Sequence, residues 1–125
     1  MNTPVSFEIA KLLKEKGFDE ECRLCVEDGD ERPLPFNCGN TLHKNSLHPY
    51  YSAPTIGKVV MWLYEKYGIW IVCSQALDTE MATVNLYWFW VAVKESEEIA
   101  YQYFDFKSPT EAYKAGIQHT LNNLI

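Results

Sequence analysis

The sequence predicts an α+β domain in which an antiparallel three-stranded meander, with a candidate N-terminal hairpin as its extension, packs with three helices in the order α-(ββ)-α-β-β-β-α. Three observations predict it. Two segments carry apolar residues at helical spacing and stop at glycine. Residues 69–106 are rich in β-branched and aromatic residues, and the connections between their apolar runs are too short for crossover helices. A capping box at Ser108 opens a third helix. With 125 residues, a second core would leave each half near the lower limit for stable folding, so residues 1–125 form one domain.

The first helix is expected over residues 6–16, where Ile9, Leu12 and Leu13 form a narrow stripe among Lys11, Lys14 and Glu15, and Gly17 stops it. Residues 19–51 change character, with acidic clusters, Pro33, Pro35, Pro49, Gly29 and Gly39, and little periodicity. Residues 22–26 fit a short strand, Asp28-Gly29 a tight turn, and residues 31–36 a partner that Pro33 and Pro35 restrict to a sheet edge. The second helix has the clearest signal. Ser52 or Thr55 caps it, Pro54 suits its first turn, and Gly68 ends it. Ile56, Val59, Val60, Leu63, Tyr64 and Tyr67 share one face, which must meet a sheet.

The strands of that sheet are expected at residues 69–74, 84–93 and 99–106, the last following the acidic turn 95–98. The middle strand is apolar on both sides: Val84, Leu86, Trp88 and Trp90 alternate with Tyr87, Phe89, Val91 and Val93. Such a strand is central and needs cover on both faces from helices, loops or another subunit. The last helix has Ser108 at its cap, Pro109 at its first position and Glu111 three residues after the cap, with Tyr113, Ile117, Leu121 and Leu124 as its buried stripe.

Acidic residues outnumber basic ones 17 to 11, for a net charge of −6. The bases are scattered apart from Lys11, Lys14 and Lys16, which disfavours nucleic acid as a partner, because phosphate tracking gathers Lys and Arg on one face. The start of the chain lacks a basic segment followed by an unbroken apolar run, so no secretory signal is read there and a cytoplasmic protein is expected. The apolar runs 59–63 and 84–93 fall short of the ~20 residues that span a bilayer, and no membrane association is expected. In that setting four cysteines read as free thiols or metal ligands rather than as disulfides.

One candidate site is metal. Cys22-x2-Cys25, Cys38 and His43 supply four ligands suited to zinc, although a strand at 22–26 would send Cys22 and Cys25 to opposite faces. The other reading leaves the chain without a cofactor and the cysteines as small packing residues. Cys38 with His43 or His48 makes a nucleophilic pair only in composition, since no third, orienting residue is marked. The run 27–31 fails the register of a calcium loop and reads as a solvated turn. Asp105, between Phe104 and Phe106, fits an outward-facing strand residue, and His119 sits with Gln118 and Asn122 on the polar side of the last helix. No phosphate-cradling, zinc-protease or nucleophile-elbow motif occurs, and no catalytic residue is assigned. A second candidate site is a surface. Tyr101 and Tyr103 alternate on one side of the third strand and can line a shallow face for a partner or a flat ligand.

Three strings, VSFEIAKLLKEKGF at 5–18, YSAPTIGKVVMWLYEKYGIWI at 51–71 and SPTEAYKAGIQHTLNNLI at 108–125, resemble a family of short uncharacterised proteins of gut Bacteroides-type bacteria and of their phages and prophages. Residues 19–50 lie outside that likeness. The matching strings are helices and caps, and the family brings no activity, cofactor or catalytic residue. It implies only a context, an accessory protein of a bacterium or its mobile elements. The expectation is therefore a non-enzymatic accessory protein that binds another protein and forms a homodimer through its aromatic sheet. Two alternatives stay open: a small zinc- or ligand-binding domain using Cys22, Cys25, Cys38 and His43, and an enzyme with an unrecognised site.

Overall fold

The computed structural model describes residues 2–27, 34–35, 50–80 and 83–125. It has the α+β class that the sequence predicts, with three helices and two antiparallel sheets; the N-terminal hairpin forms a sheet of its own instead of extending the meander, because its first strand takes its other neighbour from Tyr50–Ser52. Helix α1 (Phe7–Glu15) begins where the Ser6 hydroxyl accepts the Ile9 N–H at 3.3 Å, and the chain leaves it through the left-handed Gly17. Its buried residues are Ile9, Ala10 and Leu13, while Leu12 is only partly covered.

A small sheet follows. Strand β1 (Leu24–Glu27) pairs on one side with β2 (Leu34–Pro35) and on the other with β3 (Tyr50–Ser52), giving the order β2-β1-β3. The predicted pairing is present, with Leu24 opposite Pro35 and Cys25 opposite Leu34. β2 lies at the edge, where a strand lacking amide hydrogens at proline belongs. The sequence reading did not separate β3 from the irregular segment, because three residues are too few for periodicity. The Asp28-Gly29 turn lies outside the described residues.

Helix α2 (Ile56–Tyr67) is capped by Thr55, whose hydroxyl accepts the Lys58 N–H at 3.3 Å; Ser52, the other candidate cap, is buried in β3. Gly68 ends the helix in the left-handed region at φ 71°. Ile56, Val59, Val60, Trp62 and Leu63 are buried, and Trp62 meets Phe18 edge-on at 5.2 Å between centroids. Tyr64, expected in the buried stripe, is 51% exposed.

The large sheet is the predicted meander, with longer strands: β4 (Ile69–Glu80), β5 (Thr83–Lys94) and β6 (Glu97–Phe106), in that order. β4 and β5 pair without interruption from Ile69 opposite Lys94 to Glu80 opposite Thr83. β6 pairs only as far as Phe106 opposite Trp88, so the β4–β5 hairpin projects beyond it, and its facing Leu77 and Leu86 are exposed. Glu95 and Ser96 turn the chain from β5 to β6 with φ of 53° and 66°, a conformation that favours Asn and Gly.

Helix α3 (Pro109–Asn123) starts as expected, with the Ser108 hydroxyl accepting the Glu111 N–H at 3.2 Å and the Glu111 carboxylate accepting the Lys107 N–H at 3.2 Å. It touches α1, α2 and all three strands of the large sheet, which makes it the element around which the core is arranged. Ala112, Gly116, Ile117, Thr120 and Leu121 are buried, whereas Tyr113 and Leu124 are only partly so. The sheet side facing it is built from Ile69, Ile71, Trp90 and Ala92, all buried. At Gly116 the helix comes so near that an added methyl would stand 3.0 Å from the Trp90 ring and 3.2 Å from Ile71. The Trp90 indole cannot withdraw easily, since its ring also meets His119 at 5.2 Å and its N–H points to the Gln102 amide oxygen at 3.4 Å. His119 is thus half-buried against Trp90 rather than on a wholly polar surface.

Among the described residues, no helix is long and apolar enough to cross a membrane.

Gly116→Ala should therefore lower stability. Overpacking of about 1–3 kcal/mol exceeds the roughly 1 kcal/mol that alanine gains in helix propensity, and the net loss of about 1 kcal/mol or more is read from urea unfolding. The double variant Glu95→Asn/Ser96→Gly should act in the opposite direction, raising stability by about 1 kcal/mol by relieving left-handed strain in the same assay.

Candidate functional site: the open face of the large sheet

Side chains alternate along a strand, so the residues between those that face α3 point the other way. On β4 these are Trp70, Val72 and Ser74; on β5, Tyr87, Phe89, Val91 and Val93; on β6, Tyr101 and Tyr103. The register aligns them in rows: Trp70 opposite Val93, Val72 opposite Val91, and Val91 opposite Tyr101 on its other side. A shift in pairing between Ala92 and Val93 leaves Ile99 as an extra residue on β6, a bulge that brings one more apolar side chain to the surface.

The face is apolar and open. Tyr101 is 59% exposed, Trp70 and Ile99 39%, and Val72 38%, while Phe89, Val91, Val93 and Tyr103 are half-buried among them. The aromatic rings hold one another in place. Tyr103 lies 4.8 Å from both Phe89 and Tyr101, and Trp70 is met edge-on by Tyr64 of α2 at 5.1 Å. The Tyr103 hydroxyl points to the Glu98 carboxylate at 3.4 Å. Partial desolvation by its neighbours and then the Glu98 charge push its pKa above the usual value, so this hydroxyl is a hydrogen-bond donor at neutral pH. Beside Trp70 the face continues into a cavity of about 570 Å³ lined by Met61, Tyr64, Gly68, Trp70, Val93 and Glu95. The two predicted surface residues, Tyr101 and Tyr103, are thus brought together on one face. Sequence reading missed their neighbours Trp70 and Val72, although the two-sided apolar pattern of residues 84–93 had signalled a second face in need of cover.

The thiols behave differently. β1 starts at Leu24 and a bend at Arg23 precedes it, so strand alternation does not govern Cys22. Cys22 is buried in the core, with its thiol donating to the Glu20 carbonyl at 3.5 Å and hydrogen-bonded to Ser52, which stands directly opposite Cys25. Burial pushes the pKa values of both cysteines up, more than the Lys58 charge and Ser52 bring down the first, and the Glu27 carboxylate raises the second further. Cys38 and His43, the other two candidate ligands, lie outside the described residues, as does His48. Among the described residues, no group of three potential ligands gathers.

Cys73 lies on the α3 side of β4, half-buried against the core, and burial pushes its pKa up to about 12. Tyr113 shares a hydrogen bond with the Cys73 backbone, and burial followed by the nearby thiol raises its pKa as well. Neither arrangement activates a nucleophile, since a reactive thiol needs its pKa lowered.

No family model matches the chain, and neither a curated protein nor a solved structure is similar to it.

The Cys73 shift has a sign that can be checked. Its folded pKa lies above the unfolded value, so the contribution to stability is complete below pH 9 and is lost as pH climbs from 9 towards 12. Urea midpoints should fall more steeply across that window in the wild-type chain than in Cys73→Ala, where the thiol is gone.

Proposed function

We propose that the chain is a non-enzymatic accessory protein that works by binding protein through the open face of β4–β6, inside the cell of a bacterium and as a product of that bacterium, its phage or its prophage. The cellular context rests on the likeness of residues 5–18, 51–71 and 108–125 to the short proteins of gut Bacteroides-type bacteria and their phages. The binding reading rests on one observation: the exposed cluster of Trp70, Val72, Ile99 and Tyr101 on a rigid sheet.

Contact surfaces favour such groups for a physical reason. Tyrosine and tryptophan offer a large contact area at little conformational cost and keep a polar tip for hydrogen bonding. Here the rings are already fixed by one another, so little side-chain entropy is lost when a partner covers them. Covering apolar surface contributes about 25 cal/mol per Å² removed from water, before the cost of association is subtracted. The face is broad and shallow rather than deep, which suits a protein surface better than an enclosed small molecule.

Affinity capture from the source cell tests this with three baits: the wild-type chain, Val72→Glu/Tyr101→Glu, and Lys11→Glu on the exposed side of α1 as a control. A protein recovered by the wild-type and Lys11→Glu baits, and reduced at least about ten-fold by the double variant, is the expected result. Circular dichroism checks that the double variant is folded. Recovery of no protein in a face-dependent way, a second copy of the chain included, overturns the reading.

A further inference from the structure

We propose that the occupant of this face is a second copy of the chain, so that two β4–β5–β6 sheets pack against each other about a two-fold axis passing near Val91. The proposal rests on the protein-binding reading above and names its partner.

Area is the first argument. The exposed portions of Trp70, Val72, Ile99, Tyr101, Tyr64 and Met61, together with the half-buried residues between them, amount to roughly 700 Å² per copy, close to the roughly 800 Å² that each partner contributes to a stable interface of standard size. A single loop or side chain would leave most of it in water. A second sheet covers it in one layer, at the spacing of about 10 Å that packed sheets adopt.

Charge then centres the contact. Each copy carries a net charge of −6, so two copies can meet only across a neutral patch. The row through Val72, Val91 and Tyr101 is neutral, while acidic positions lie towards both ends of the strands: Glu95 and Glu98 beside the β5–β6 turn, and Asp78 and Glu80 where β4 pairs with Asn85 and Thr83. An axis lying in the interface and across the strands near Val91 sets Val91 against Val91 of the other copy, and likewise Tyr101 against Tyr101, so that the contact is centred on the neutral row.

That arrangement also uses the projecting hairpin. Ala76 and Tyr87 face each other on the open side of β4–β5, as far from the Val72–Val91 row in one direction as Gly68 is in the other. Reversing the strand direction lays this part of each hairpin over the cavity bounded by Met61, Tyr64 and Trp70 in the other copy. An isologous dimer of this kind closes on itself.

Sedimentation equilibrium of the full chain tests the proposal. The expected wild-type species at about 10 µM has twice the 14.5 kDa mass of one chain, and Val72→Glu and Tyr101→Glu each weaken association at least about ten-fold. Both positions are exposed in the single chain, so the variants remain folded by circular dichroism. Tryptophan emission gives an independent readout: it shifts to the blue as wild-type protein associates, and Trp70→Phe removes most of that shift. A monomer up to about 100 µM overturns the proposal, as does a dimer indifferent to both glutamate variants. A monomer that still captures a different protein through this face removes the second copy as occupant and leaves the protein-binding function standing. A monomer that captures nothing removes both.

Discussion

The approach of α3 to the large sheet at Gly116 and Trp90 is the constraint from which the rest of the architecture follows. A helix carrying side chains all along its sheet-facing stripe rides higher above the strands. Here the missing Cβ lets the backbone settle onto the Trp90 ring, and the Thr120 hydroxyl turns back to donate to the Gly116 carbonyl at 2.8 Å instead of facing the apolar interior unpaired. Ile71 closes the contact from β4, and His119 and Gln102 hold the indole from its other sides. Because α3 also touches α1 and α2, its height above the sheet sets how all three helices share one core.

That closeness makes the sheet strongly one-sided. All three helices end up in the core on the side of Ile69, Ile71, Trp90 and Ala92. The other side keeps the same β-branched and aromatic composition, without a described helix across it. The residues that make β4–β6 a good sheet are those that make its open face apolar, so strand propensity and exposed hydrophobic surface have one origin. Large exposed apolar patches are uncommon on soluble monomers, and this one is ordered by ring contacts, with Glu98 at its margin. Order of that kind suits a surface that meets a partner without rearranging.

Much of this was legible in the chain. The caps at Thr55 and Ser108 and the stops at Gly17 and Gly68 follow from local chemistry, and each appears where a hydroxyl or a flexible backbone was available. The meander was legible too, because its connections leave no length for anything else. Less legible was what depends on distant partners. Tyr64 fits the apolar stripe of α2 by spacing, yet it lies at the margin of the open face beside Trp70, since the core beneath α2 is filled by Trp62. Gly116 gave no signal in the sequence, because only the position of Trp90, 26 residues earlier, gives it a purpose. Tyr101 and Tyr103 were found as a pair by alternation, whereas Trp70 and Val72 needed the register of β4 on β5 to join them.

The Glu95-Ser96 turn ties these threads together. Two consecutive non-glycine residues with positive φ cost stability, and Asn-Gly at the same place would relieve it. What the present residues supply is position. The turn holds Glu95 against the cavity at Trp70, and the strand that leaves it carries Glu98 to the Tyr103 hydroxyl and Ile99 onto the face through the bulge. Strain at the turn, the register shift beside it and these two carboxylates are therefore one local arrangement. It brings acidic side chains to the margin of the apolar patch beside Trp70 and Tyr103, and so ties the strained turn to the edge of the contact surface.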